Sequence, residues 1–134
     1  MTVFFVERQD IDLVWDQCKP ILEDAFRRVD CGYGAEKVKQ DVLEGKRQLW
    51  VSAHNDSFAV CTTHIIEHPE KKVGVMAAGG GTNIEMTGDF IPYLENFFKN
   101  KGCTEIEMIG APGWMRFMKR YGFKPKYIAT ARTL

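Results

Sequence analysis

Three strand-like segments in direct succession constrain this chain more than any other feature. Leu49–Ala53 and Phe58–Ile66 are rich in β-branched and aromatic residues and are joined by the polar turn His54-Asn55-Asp56-Ser57. A second turn, His68-Pro69-Glu70-Lys71, leads into a third segment, Lys72–Ala78. Connections this short join antiparallel neighbours, so the three segments predict consecutive hairpins. After a glycine run, Phe90, Leu94, Phe97 and Phe98 recur on one helical face, and Thr104–Ile109 then reads as another strand. A strand–helix–strand passage is the crossover that parallel neighbours need, so Lys72–Ala78 and Thr104–Ile109 are expected to be parallel.

The flanking segments complete the order. Thr2–Glu7 reads as an opening strand, and Ile11, Val14, Trp15, Cys18, Ile21, Leu22, Ala25, Phe26 and Val29 follow at helical spacing. Asp10 is placed to cap that helix, and Pro20 inside it is expected to kink or split it. Ala35 to Glu44 predicts a shorter helix that stops at Gly45. Asp89 is a candidate cap for the helix over Phe90–Lys101, with Pro92 tolerated in its first turn. Pro112–Tyr121 reads as a helix and Tyr127–Thr133 as a closing strand. The result is β-α-α-β-β-β-α-β-α-β: an α/β domain over residues 1–134, with a mixed, mostly antiparallel central sheet flanked by helices.

Composition narrows the partners. Lys and Arg together number 18, as do Asp and Glu, so no net charge drives the chain onto duplex DNA or an anionic membrane. The basic cluster Arg116, Lys119, Arg120, Lys124 and Lys126 reads as solvated surface charge or as a local phosphate or nucleic-acid contact. No apolar run reaches the roughly 18–20 residues of a membrane span, and the opening segment lacks the features of a signal peptide. Cys18, Cys31, Cys61 and Cys103 are scattered, none in C-x-x-C spacing, which predicts free thiols and no zinc site. His64 and His68 are four apart, a metal spacing only on a helix, whereas here they straddle a strand and a turn. The expected setting is the cytoplasm.

Gln48-Leu49-Trp50, Lys101-Gly102-Cys103, Gly110-Ala111-Pro112-Gly113-Trp114-Met115-Arg116 and the helix end Tyr121-Gly122-Phe123 carry a family resemblance over essentially the whole chain. In these marks and in element order the chain resembles the GNAT N-acetyltransferases, and within them the small GNAT-like proteins of tailed bacteriophages. The resemblance implies acetyl transfer from acetyl-CoA to an amine, in a cleft where the fourth and fifth strands splay at their C-terminal ends. The pantetheine arm would run along Val73–Ala78, with Val75 and Ala77 in contact. The pyrophosphate would rest on backbone N–H groups at Gly79, Gly80, Gly81 and Thr82, or at Thr87 and Gly88, where a helix N-terminus favours an anion.

The sequence departs from the family pattern at several of these places. The phosphate motif Q/R-x-x-G-x-G/A falls on Asn83-Ile84-Glu85-Met86-Thr87-Gly88, where only Gly88 agrees. Met118 stands where a tyrosine often protonates the departing thiolate, and Ala111 replaces a common asparagine. Candidates for a base that deprotonates the amine are His64, Glu67 and Glu107, with nothing in the sequence to choose among them. Some bacteriophage virion proteins share this fold, so the resemblance also implies an alternative: a catalytically silent virion component or assembly protein, located in the host cytoplasm or the particle. Trp114 and Arg116 would then anchor contacts to other virion proteins; in the other reading they pack the last helix onto the sheet and bond nearby carboxylates or carbonyls.

Overall fold

The computed structural model describes residues 2–134 and holds a five-stranded sheet in the order β1-β2-β3-β4-β5, numbered in chain order. The strands are β1 Thr2–Phe5, β2 Gln48–His54, β3 Ser57–Glu67, β4 Lys72–Gly81 and β5 Glu105–Met108. Pairing is antiparallel from β1 through β4 and parallel between β4 and β5. The first hairpin closes tightly: His54 opposes Ser57, and Asn55 takes a left-handed φ of 53°.

Strand alternation sorts the core into two layers. Leu49, Val51 and Val60 join one cluster, with Ile11, Trp15, Cys18 and Leu22 of α1 (Ile11–Arg28) and Val38 and Val42 of α2 (Ala35–Leu43). Trp50, Ala59, Cys61 and Met76 join the other, with Ile91, Leu94 and Phe98 of α4 (Ile91–Asn100) and Phe117 and Met118 of α5 (Pro112–Met118). A sheet covered on both faces is the arrangement that a crossover helix on one side and an N-terminal helix pair on the other require. No helix among the described residues is long and apolar enough to cross a membrane.

Four local expectations are corrected. Pro20 does not split α1, which runs through it from Ile11 to Arg28; the residue lies on the exposed face, and the carbonyl it leaves unpaired, that of Asp16, is also on the solvent side. Asp89 caps nothing: it closes a one-turn helix, α3 (Glu85–Gly88), and α4 starts after Phe90 without a side-chain cap. β4 runs three residues beyond Ala78, so Gly79–Gly81 are strand rather than loop. The closing strand at Tyr127–Thr133 is absent. Neither of its faces, Tyr127/Ala129/Ala131 or Ile128/Thr130/Arg132, is apolar enough for burial to offset ordering, and Ile128 is 86% exposed. Only side chains tie its start to β5, through Lys126 to Glu107 (2.9 Å) and the Tyr127 hydroxyl to Glu107 (2.9 Å).

Candidate functional site

The site begins where β4 loses one of its two neighbours. Pairing with β5 runs from Val73↔Glu105 to Met76↔Met108, and a last bond from Ile109 N–H to the Met76 carbonyl (3.0 Å) ends it. The chain after β5 turns away through Gly110 and Ala111 into α5, whereas β4 continues to Gly81 paired with β3 alone. At the divergence β4 carries a bulge: Thr63 opposes Met76 but Cys61 opposes Gly79, so Ala77 and Ala78 together face Thr62. The Thr62 hydroxyl accepts from Ala78 N–H (3.1 Å) and donates to the Ala78 carbonyl (3.0 Å). Thr62 is fully buried, so this bridge satisfies two backbone groups that the bulge would otherwise orphan.

Between the diverging strands lies a cleft of about 650 Å³, within the range of small-molecule sites. Met76, Ala77, Phe90, Met108, Ile109 and Trp114 make its apolar walls. Its other rim comes from the C-terminal half of α1 and the loop beyond, with Ile21, Asp24, Arg28 and Cys31. Nothing in the local sequence around Asp24 marks it as a cleft residue; only the packing of α1 across β4 puts it there. Thr62 had a readable signal, a hydroxyl residue inside an apolar strand, which must find a partner if buried.

The residues named from sequence divide. Ala77, Gly79, Gly80, Gly81, Thr87 and Trp114 line the cleft. Val75 does not: it is fully buried and paired on both sides, with His64 and Glu107, so the free edge of β4 starts one residue past Met76. Thr82 closes the β3–β4 end, its N–H donating to the Phe58 carbonyl (3.0 Å) and its hydroxyl accepting from Phe58 N–H (3.1 Å). Gly88 lies beneath the Tyr121 ring, where any side chain would overlap the phenol. Gly79 and Gly81 are held by close backbone approach, since a Cβ there would stand 2.8 Å from the Val60 carbonyl oxygen and 2.6 Å from that of Phe58. Arg116 is exposed and outside the cleft, while Trp114 is half-buried and edge-on to Phe117 at 6.1 Å.

The start of α3 is already capped from within. The Asn83 side chain accepts from Glu85 N–H (3.0 Å), the Asn83 carbonyl accepts from Met86 N–H (3.1 Å), and Thr87 N–H bonds the Ile84 carbonyl (3.1 Å). Glu85 adds a carboxylate at the same turn, held by Arg120 at 3.3 Å. Donors that would receive a pyrophosphate at this turn are therefore spent on the chain itself. This does not fit the family's phosphate cradle, whereas the one-sided edge of β4 does fit an amide-bearing arm.

None of the three candidate bases lines the cleft. His64 points to Arg47 (Nδ1–Nη1, 3.3 Å), and burial followed by the guanidinium charge lowers its pKa. Glu67 is at the far end of β3 beside Lys72 (3.4 Å). Glu107 is bonded by Lys126 and Tyr127, and the Lys126 bond holds its carboxyl below the ordinary value. Cys61 does face the cleft, but burial pushes its thiol up to about 12, so it stays protonated at neutral pH and is no nucleophile. Met118 borders the cleft and Tyr121 does not. Among the described residues no group of His, Cys, Asp or Glu is placed to hold a metal ion.

No known sequence family matches the chain, and no curated protein matches it significantly. Solved structures do. The chain superimposes on a ribosomal-protein-alanine N-acetyltransferase from Brucella melitensis biovar Abortus 2308 with a TM-score of 0.73 at 5% identity, covering 100% of both chains. An aminoglycoside acetyltransferase from an uncultured soil metagenomic sample, solved with sisomicin, gives 0.73 at 12% identity over 99% of this chain and 95% of that one. A predicted acetyltransferase from Clostridium acetobutylicum, solved with acetyl-CoA, gives 0.70 at 13% identity over 98% and 95%. The protein thus has the fold of the GNAT acetyltransferases, a likeness of fold and not of sequence.

Proposed function

We propose that the β4–β5 cleft takes the acyl-pantetheine arm of acetyl-CoA, and that the protein transfers the acetyl group to an amine. The observation that carries this reading is the bulged, one-sided stretch of β4 from Ala77 to Gly81, which faces an apolar cleft of about 650 Å³. A strand edge without a partner offers N–H and C=O groups to the amides of an extended ligand. The apolar walls exclude water from the thioester, and the Thr62 bridge keeps the edge rigid. Solved neighbours that are acetyltransferases, one of them with acetyl-CoA, add support. The sequence marks that resemble tailed-bacteriophage proteins point to a phage gene product acting in the host cytoplasm.

A second reading has its own observation. The self-capped α3, with Glu85 beside it, disfavours the nucleotide end of the cofactor, and no candidate base reaches the cleft. In that reading the domain is a silent GNAT-fold assembly protein or virion component, docking through Trp114 and Arg116.

Titration calorimetry with acetyl-CoA and with S-acetylpantetheine, which lacks the nucleotide, tests the choice. The acyl-transfer reading expects both to bind, with comparable affinity, because the cleft holds the arm and not the phosphates. Ala77→Phe, which fills the cleft, abolishes both. If neither ligand binds the parent at millimolar concentration, the acyl-transfer reading is wrong. The assembly reading then stands or falls on whether Trp114→Ala and Arg116→Ala proteins, folded, are lost from purified particles.

A further inference from the structure

At the other end of the sheet, sharing no residue with the cleft, lies a second cavity of about 430 Å³. It is built from the end of β1, the turn entering α1, the loop between α2 and β2, and the end of α4. Four cationic side chains line it from three of these elements: Arg8, Lys46 and Arg47 of one loop, and Lys101. Glu7 is the single carboxylate among its lining residues. In a chain with 18 basic and 18 acidic residues, this is a local excess of one sign. A concave site with a net excess of positive charge gathers anions.

Two of the four cations are neutralised by the chain. Arg47 donates to Asp41 (2.9 Å), a pair that is nearly buried, and its guanidinium stacks 4.5 Å from the Tyr33 ring centroid. Lys46 meets Glu44 at 3.2 Å. Arg8 and Lys101 have no carboxylate within ion-pair distance among the described residues. Arg8 is laid across Gly45, where a Cβ would stand 3.3 Å from its Nη2. Lys101 lies over Phe97, 5.6 Å from the ring centroid. Both are exposed side chains that border the cavity. The floor between them is apolar and aromatic, with Phe5 and Phe97 at a centroid distance of 6.0 Å.

We infer that this cavity is a second ligand site, for a small organic phosphate whose apolar or aromatic body rests on Phe5 and Phe97. Arg8 and Lys101 bind the phosphate oxygens, the guanidinium by paired N–H donors and the ammonium as a point charge. Arg47, its charge paired with Asp41, forms part of the wall. The site is independent of the acyl-transfer reading, since it shares neither residues nor chemistry with the cleft.

Adenosine monophosphate, adenosine and inorganic phosphate are the probes, titrated into the whole protein by calorimetry and followed by chemical shift. The monophosphate is expected to bind, adenosine to bind at least 10-fold more weakly, and inorganic phosphate to fall between or below. Arg8→Gln with Lys101→Gln, exposed positions where the charge is lost and a shorter polar side chain remains, should weaken the monophosphate about 10-fold or more, and raised salt should weaken the parent likewise. Shifts should concentrate at Phe5, Gly45 and Phe97. Absence of monophosphate binding at millimolar concentration overturns the inference. So does equal binding by the folded double variant, or equal binding of adenosine.

Discussion

The two halves of β4 are one continuous strand, yet they do opposite things. From Lys72 to Met76 the strand is paired with β3 on one side and β5 on the other, and Val73 and Val75 are fully buried. From Ala77 to Gly81 it keeps β3, loses β5, and becomes the wall of the cleft. Apolar side chains anchor the first half, while the second is nearly bare of them: two alanines and three glycines. The candidate site lies where pairing stops, at a backbone edge that a neighbouring strand would have consumed. A bulge at the boundary keeps the two halves from sharing one register, and Thr62 holds that boundary.

The comparison is broken most forcefully in the doubly paired half. Phe98 is 1% exposed and its ring sits where a Gly74 Cβ would be, at 2.5 Å. Phe98→Ala should lower the unfolding free energy by about 3–5 kcal/mol in a urea titration. The folded fraction should still bind the acyl ligand, if the halves are separable. A parent-like midpoint would show that α4 does not support this half of β4.

A smaller effect is expected at the boundary. Thr62→Val keeps the volume but strands the N–H and carbonyl of Ala78, at a cost of about 1–3 kcal/mol. Here stability and ligand binding should fall together, because the bulge that shapes the cleft is no longer pinned. Full acyl-ligand affinity in a folded Thr62→Val protein would mean that the bulge is not part of the site.

Least in size is a pH effect from the paired half, where His64 lies opposite Val75. Its pKa is lowered in the folded protein, first by burial and then by Arg47. The unfolded chain therefore takes up this proton first as pH falls through the ordinary imidazole range near 6.5, and stability is lost in that window. Unfolding of the parent should be easier at about pH 5.5 than at about pH 7.5 by more than it is for His64→Gln. Identical pH slopes in both proteins would mean that His64 is not desolvated as the geometry implies.

Gly88→Glu, a carboxylate placed at the α3 turn, would not serve as a probe of phosphate binding. Tyr121 occupies the space above Gly88, so the change would disturb packing before it met any ligand.

What the sequence by itself determined is local and periodic. The succession of three strands, the parallel crossover, the apolar faces of α1 and α4, and the two-layer core all follow from which residues recur at a spacing of two or of three to four. Pairing decided the rest. The glycine run reads as a loop in sequence, and became strand because β3 extends beside it and its backbone approaches too closely for side chains. The seven residues from Tyr127 read as strand, and stayed irregular because neither of their faces had enough apolar surface to bury against β5. The cleft itself, with Asp24 and Arg28 of α1 opposite Trp114 of α5, joins residues about ninety positions apart. No local periodicity encodes a register shift at Thr62 or the covering of Gly88 by Tyr121, since both depend on contacts that exist only after distant segments have packed.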